Sequence, residues 1–427
     1  MSGFSSAPEA SPLRQIVIIG AGAVGAATAL NLRRKGFETT IVDSQPPGHG
    51  CSFGNAGAIS PGSVAPIALP GMFQQVPKWL IDPLGPLFVR WRYLPQAAPW
   101  LMRWVAASRM AAVDRASDGL RPLVGTAFNE YEMLLGASAF QTLFRRQGQL
   151  YVWESDTPSK SETVGHQLRA RHGIECHWLR PEEIRQYEPG LAPIFARGLF
   201  LPNNGHTIQP LSLVETMIEQ YLAEGGKVER GHVADIRPHD YGTVTVHLDD
   251  GRSIDAARAV LAAGAWSARI AKRLGVRIPL ETERGYHVML PHDAALVRRP
   301  IMNADRGFIV SPMSDGMRVA GTVEIAGVDA PPDYRRAQSL LHHARAMFPD
   351  LRGDESSVWM GRRPSLPDSI PVIGPCPTAP SVVFAFGHGH LGITGAAMTG
   401  RLVSEIINNE PTAIDIAPYR PERFTGG

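Results

Sequence analysis

The sequence predicts an α/β protein in which a domain built on a parallel sheet is interrupted by an α+β domain with a mixed antiparallel sheet. Three observations carry that expectation. At the N-terminal end, the apolar run Gln15-Ile16-Val17-Ile18-Ile19 leads through a glycine-rich turn into a helical stretch over 26–34. A second strand over 39–42 then ends in Asp43. At the C-terminal end a strand over 382–386 leads through another glycine-rich turn into a helix over 395–408, and the pattern between the two ends is mixed.

Each element has a local reason. The run at 15–19 is uninterrupted, as in a parallel strand buried on both faces. A proline- and tryptophan-rich stretch over 60–104 precedes a helical region to about 144, and 149–153 reads as a strand. Pro210 opens a helix whose Val214, Met217, Ile218, Tyr221 and Leu222 keep helical spacing, and Gly225-Gly226 ends it. The strand at 244–248 turns through Asp250-Gly251 into its neighbour, a hairpin signal. A buried strand over 259–262 runs into Ala263-Gly264-Ala265-Trp266, and strand-like pieces with a helix over 335–347 occupy 277–359. The expected boundaries are 12–62, 206–280 and 358–427 for the first domain, and 63–205 with 281–357 for the second, which carries a Trp/Pro/Arg-rich segment over 64–113.

Composition narrows the function. The chain has 427 residues, 44% of them apolar and 19% charged, which suits a large core and excludes disorder. With 42 basic and 40 acidic residues it has no field to attract nucleic acid. Three scattered cysteines, Cys51, Cys176 and Cys376, fit a reducing compartment and a cytoplasmic location. Residues 1–13 read as a short disordered leader with no export signal. The uncharged stretch 44–77 is broken by prolines at 46, 47, 61, 66, 70 and 77, so it does not read as a spanning helix.

The chemistry-bearing motif is Gly20, Gly22 and Gly25 between a strand and a helix. Gly20 permits the turn, Gly22 lets the backbone approach a pyrophosphate, and Gly25 allows close helix–strand packing. The helix N-terminus adds N–H groups and a positive dipole. Asp43 is placed to accept from a ribose 2′-hydroxyl, so this is a Rossmann-like dinucleotide site. At the other end, Gly387-His388-Gly389-His390-Leu391-Gly392-Ile393-Thr394 offers N–H groups and a helix dipole to one partner. The N1–C2=O edge of a reduced flavin, a second phosphate and a plain tight turn are the readings open for it.

Taken together, these segments resemble the D-amino-acid oxidase and glycine oxidase structural superfamily, and most closely the bacterial FAD-dependent D-amino acid dehydrogenases. The resemblance extends through Asn55-Ala56-Gly57-Ala58-Ile59-Ser60-Pro61-Gly62, Gly361-Arg362-Arg363-Pro364 with Pro367-Asp368, Pro371-Val372-Ile373-Gly374, and the 387–392 turn. It implies non-covalent FAD, with Ser52 and Asn55 near the pyrophosphate and flavin, Val233 at the adenine side, Gly264 near the nucleotide, and Gly387, Gly389, Leu391, Gly392, Ile393 and Thr394 at the isoalloxazine. It implies further that Arg363 holds the substrate carboxylate, which a planar guanidinium does bidentately. The alternative is a structural ion pair at Arg363 with Arg362 as the ligand. Tyr286 resembles an active-site tyrosine that closes the pocket or orients the amine, and reads equally as a core tyrosine. His390 departs from the family pattern and faces substrate or flavin, or caps the turn. His287 and His390 lack the carboxylate partners a metal site needs.

The resemblance implies oxidative deamination of small amino acids, of D configuration and including D-proline or hydroxy-D-proline. Hydride leaves Cα for flavin N5, and the imino acid hydrolyses to a 2-oxo acid and ammonia. No general base is expected. The electron acceptor would be a quinone or another carrier. Over 78–113 Lys78, Arg90, Arg92, Arg103 and Arg109 face only Asp82 among Trp79, Trp91, Trp100 and Trp104. That segment reads either as a peripheral contact with the inner membrane or as a helical cover with its tryptophans in the core. The rival functions are a flavin subunit of a heteromeric amine, opine, sarcosine or imino-acid dehydrogenase, and an NAD-linked dehydrogenase.

Overall fold

Six strands form the first sheet, in the order Lys227–Arg230, Glu38–Asp43, Gln15–Ile19, Arg258–Leu261, Ala379–Phe386 and Val372–Cys376. The computed structural model describes residues 15–72, 84–354 and 357–424. The leader and Lys78, Trp79 and Asp82 lie outside the described residues. The first five strands run parallel and the sixth pairs antiparallel. Gln15–Ile19 is central, with Val17 and Ile18 fully buried, which explains its lack of alternation. Helices Ala23–Arg34, Pro210–Ala223 and Gly392–Ile407 share a core with one face. An antiparallel sheet of Val233–Pro238, Val244–Leu248 and Ser253–Ala256 covers the other.

The second sheet has nine strands. Ser357–Ser365, Glu281–Leu290, Gly316–Ile325 and Phe308–Met313 lie side by side, antiparallel throughout. Ile301–Asn303 and Gln149–Trp153 continue it through a parallel pair, and Leu87–Val89 runs parallel to Gly316–Ile325. Helix Arg335–Met347 packs Leu340, Leu341 and Ala344 against Val288, Leu290 and Val319. All ten residues of Glu281–Leu290 are buried.

Two local readings change. The helices expected from 26 and 395 begin at Ala23 and Gly392. Glycine near both starts weakens the sequence signal, while packing against the sheet sets where the helices begin. Leu87–Val89 carries no strand signal of its own and is defined by its partner. Trp100 and Trp104 pack with Val89, Ala97 and Ile325 in a core cluster, whereas Trp91 is exposed.

Candidate functional site

A cavity of about 580 Å³ lies between the end of the parallel sheet and the face of the nine-stranded sheet. On the first side its wall is mostly backbone. Gly20 has φ +109°, and a Cβ there would stand 2.4 Å from the Ala262 carbonyl oxygen. A Cβ on Gly25 would stand 1.8 Å from the Gly20 carbonyl oxygen. Those two glycines are required by the fold itself. Gly22 differs, because a Cβ there meets only Ser52 Oγ, at 3.4 Å, within 4 Å. The space in front of Gly22 belongs to the cavity, so its missing side chain leaves a cradle for a ligand and not for the protein.

Asp43 anchors this turn. One carboxylate oxygen accepts from Ala21 N–H at 2.7 Å and the other from Gln45 N–H at 2.8 Å. Each oxygen keeps a second lone pair toward the cavity that Asp43 lines. Ser52 Oγ accepts from Ala23 N–H, the first of its helix, at 3.0 Å. Asn55 Oδ1 accepts from Gly57 N–H at 2.8 Å. Val233, at an irregularity of its strand, and Gly264, at φ +54°, also reach the wall. From the 387–394 turn, Gly389, His390, Leu391, Gly392, Ile393 and Thr394 line the cavity. Gly25 and Gly387 stand behind the wall, and Gly387 packs against Leu366.

The second side is made of side chains. Arg363 reaches the cavity from Ser357–Ser365, and its Nη1 donates to the Thr322 carbonyl at 3.0 Å. Among the described residues it has no ion pair. Arg362 donates to the Val328 carbonyl at 2.7 Å and lies over the Trp266 ring, again without an ion pair. Thr322 has φ +59°, a strained conformation for a β-branched residue that costs about 1–3 kcal/mol. That strain aims its carbonyl at the guanidinium. Gly285 matters for the same group, since a Cβ there would stand 2.1 Å from Arg363 Nη2.

Tyr286 is 1% exposed, packs in the core of the nine-stranded sheet and also lines the cavity. Its hydroxyl donates to Glu324 at 2.5 Å and accepts from Asp333 N–H at 2.9 Å. Burial, and then the bond to Glu324, push its pKa up to about 12. His390 is exposed to the cavity, and desolvation with the nearby Arg363 charge hold its imidazole down to about 4. It is therefore neutral at physiological pH. His287 Nδ1–H donates to the Gly54 carbonyl at 3.0 Å, and the ring stacks on Trp359.

Sequence reasoning passed over Glu283, Thr322, Trp359 and Cys51, all of which line the cavity. Burial pushes the Cys51 thiol up. Glu283 had one readable signal: Glu281 and Glu283 put acids on alternate positions of an otherwise buried strand.

A nucleotide-type wall facing a sheet that carries an unpaired guanidinium defines a cofactor-dependent enzyme. The chain belongs to the FAD dependent oxidoreductase family, whose model matches residues 15–406. FAD is its cofactor, which excludes the NAD-linked alternative, and the Gly22 cradle fits a pyrophosphate. The chain is 38% identical to the D-amino-acid oxidase of Bradyrhizobium diazoefficiens, over 96% of this chain and 99% of that one. It is 31% identical to the D-amino acid dehydrogenase of Paramagnetospirillum magneticum, over 96% and 99%. The fold superposes on glycine oxidase from Geobacillus kaustophilus with a TM-score of 0.71, at 21% identity over 95% and 98% of the chains.

Proposed function

We propose that this flavoenzyme oxidises small D-amino acids, cyclic imino acids such as D-proline included, and that Arg363 binds the substrate carboxylate. The observation that carries this reading is the guanidinium of Arg363, open to the cavity and lacking an anionic partner among the described residues. A half-buried cation without a counter-ion is costly, and a substrate carboxylate offsets that cost with two parallel hydrogen bonds. The relatives named D-amino-acid oxidase and D-amino acid dehydrogenase support an amino acid of D configuration. The bound flavin supplies a two-electron hydride acceptor. Gly20, Gly22, Asp43, Ser52, Asn55, Val233 and Gly264 would hold the nucleotide, without a covalent bond, and the 389–394 turn the ring. Arg363 fixes which face of Cα is presented, and neutral His390 shapes the cavity beside it. Loss of hydride from a neutral amine leaves the iminium form of the imino acid, which hydrolyses to a 2-oxo acid and ammonium when the amine is primary and opens to an amino-2-oxo acid when the nitrogen is in a ring.

Adding D- and L-amino acids, prolines, glycine and sarcosine singly to the anaerobic protein tests this directly. Bleaching by the D set alone supports the reading; bleaching by the L set alone overturns the chirality, and no bleaching overturns the substrate class. Oxygen uptake compared with quinone reduction then identifies the acceptor.

An exposed face of Trp91, Arg92, Met102, Arg103 and Val105 supports a contact with anionic lipid. No helix among the described residues is long and apolar enough to cross a membrane. Arg90 is paired with Glu324 and takes no part. Arg92→Glu with Arg103→Glu should release the enzyme from anionic vesicles, and equal pelleting of both proteins rejects the contact.

A further inference from the structure

One acid in the cavity has no role in the reaction above. Glu283 is 4% exposed and lines the cavity directly opposite Arg363, its cross-strand partner in the antiparallel register. Such partners share a face of the sheet with Cβ atoms about 5 Å apart. Yet the two side chains form no ion pair. Glu283 Oε1 accepts from Ser365 Oγ at 2.8 Å, and Oε2 has no hydrogen-bond partner among the described residues. The main chain of Ser365 forms an isolated antiparallel bridge with that of His388, at the edge of the glycine-rich turn. The carboxyl is thus held by one hydroxyl, on the same face of the sheet as Arg363. Buried carboxylates are normally paired with a cation, and this one lacks it.

We propose that Glu283 receives the ammonium group of the substrate and takes one proton from it. This rests on the reading of Arg363 as the carboxylate ligand. The two side chains then form a dipolar receptor, guanidinium for the carboxylate and carboxylate for the ammonium. In the step itself an N–H bond of the ammonium breaks and an O–H bond forms on Glu283. The bonding pair stays on nitrogen as the lone pair that assists hydride loss, and the ionised carboxyl becomes neutral. No oxidant is consumed by this step. Hydride loss leaves an iminium with two N–H bonds, hydrolysis completes ammonium with two protons from water, and Glu283 returns its own proton to solvent before the next turnover.

The surroundings suit a proton acceptor. Burial raises the affinity of the carboxyl for a proton, while the Ser365 hydrogen bond and Arg363 charge oppose that rise. The other charged or titratable groups near it are Glu281 on its own strand and, on the cavity wall, Arg362, His390 and Cys51. His390 stays neutral across the range of the test below.

The test uses Glu283→Gln holoenzyme, which keeps the side-chain volume and an acceptor for Ser365. The rate of anaerobic flavin reduction is followed against pH, with the amino acid that bleaches wild type fastest. The variant should fall about 100-fold below wild type at pH 7. It should recover most of that loss near pH 10, where the free amino acid already carries a neutral amine. Binding of the matching 2-oxo acid, which has no amine, is read from the flavin spectrum and should weaken by less than twofold. A variant whose profile superimposes on wild type overturns the proposal. So does one that loses the same factor at every pH, or one that weakens 2-oxo acid binding as much as catalysis. Arg363→Ala separates the two readings: its failure to weaken 2-oxo acid binding removes the carboxylate assignment, whatever Glu283→Gln does.

Discussion

The two walls of the cavity are built on different principles. The wall on the parallel sheet presents main chain: a turn after Ile19, the start of helix Ala23–Arg34, and the 389–394 segment, which runs into the first turn of helix Gly392–Ile407. Its polar groups are set by backbone conformation, so small residues in fixed order suffice. The wall on the nine-stranded sheet presents side chains from three adjacent strands, Glu283, Thr322 and Arg363. Their positions follow from register and from one strained residue. The difference teaches where each function can change: the first wall tolerates little except glycine, and the second can exchange its chemistry one side chain at a time.

Substitutions at the two walls should therefore fail in different ways. The largest effect falls on the first wall. Gly22→Val should purify folded but without flavin, because the added side chain fills the cradle and meets little protein. A yellow Gly22→Val protein would break the comparison. On the second wall, Arg363→Ala should keep its flavin and lose about 10³-fold in kcat/KM, roughly 4 kcal/mol, the scale for a buried charge pair left incomplete. Unchanged steady-state kinetics would remove Arg363 from the site. Gly285→Ala comes next. Its methyl displaces the Arg363 guanidinium, and a shift near 1 Å should cost about 100-fold with flavin content intact. Thermal melting of that variant, unchanged within a few degrees, would show that the loss is local.

Acid has the smallest effect and acts on both walls. His388 on the first is held down to about 4, and His287, stacked on Trp359 of the second, to about 3, each chiefly by burial. Above the ordinary histidine value near 6.5, both folded and unfolded chains carry neutral imidazoles, and their contribution to stability is complete. As pH falls from there toward about 4, the unfolded chain takes up protons that the folded one refuses, and stability drops. Melting temperature measured from pH 7 to 4.5 should decline, and His388→Gln should flatten that slope. A slope identical to wild type would mean that other groups carry the acid sensitivity.

The first wall was largely legible because its signals are local. A strand, Gly20, Gly22 and Gly25, a helix and Asp43 lie within one short unit, and each residue type answers to a backbone requirement. The second wall was legible at Arg363 and Tyr286, both of which line the cavity. The Tyr286 hydroxyl, however, is taken up by Glu324 and by Asp333 N–H. Side-chain direction alternates along a strand, and the irregularity between Arg284 and Tyr286 is visible only in the pairing with Gly316–Ile325.

By itself, then, the sequence determined the parallel core, the FAD-type turn and the family, since all three follow from contiguous residues and backbone stereochemistry. Tertiary structure alone decided that Glu283 faces Arg363, residues 80 apart in the chain. It alone decided that Thr322 is strained and that Trp100 and Trp104 are buried while Trp91 is not. The physical reason is that strand register is set by the summed burial of whole sheets, a sum no local stretch of sequence contains.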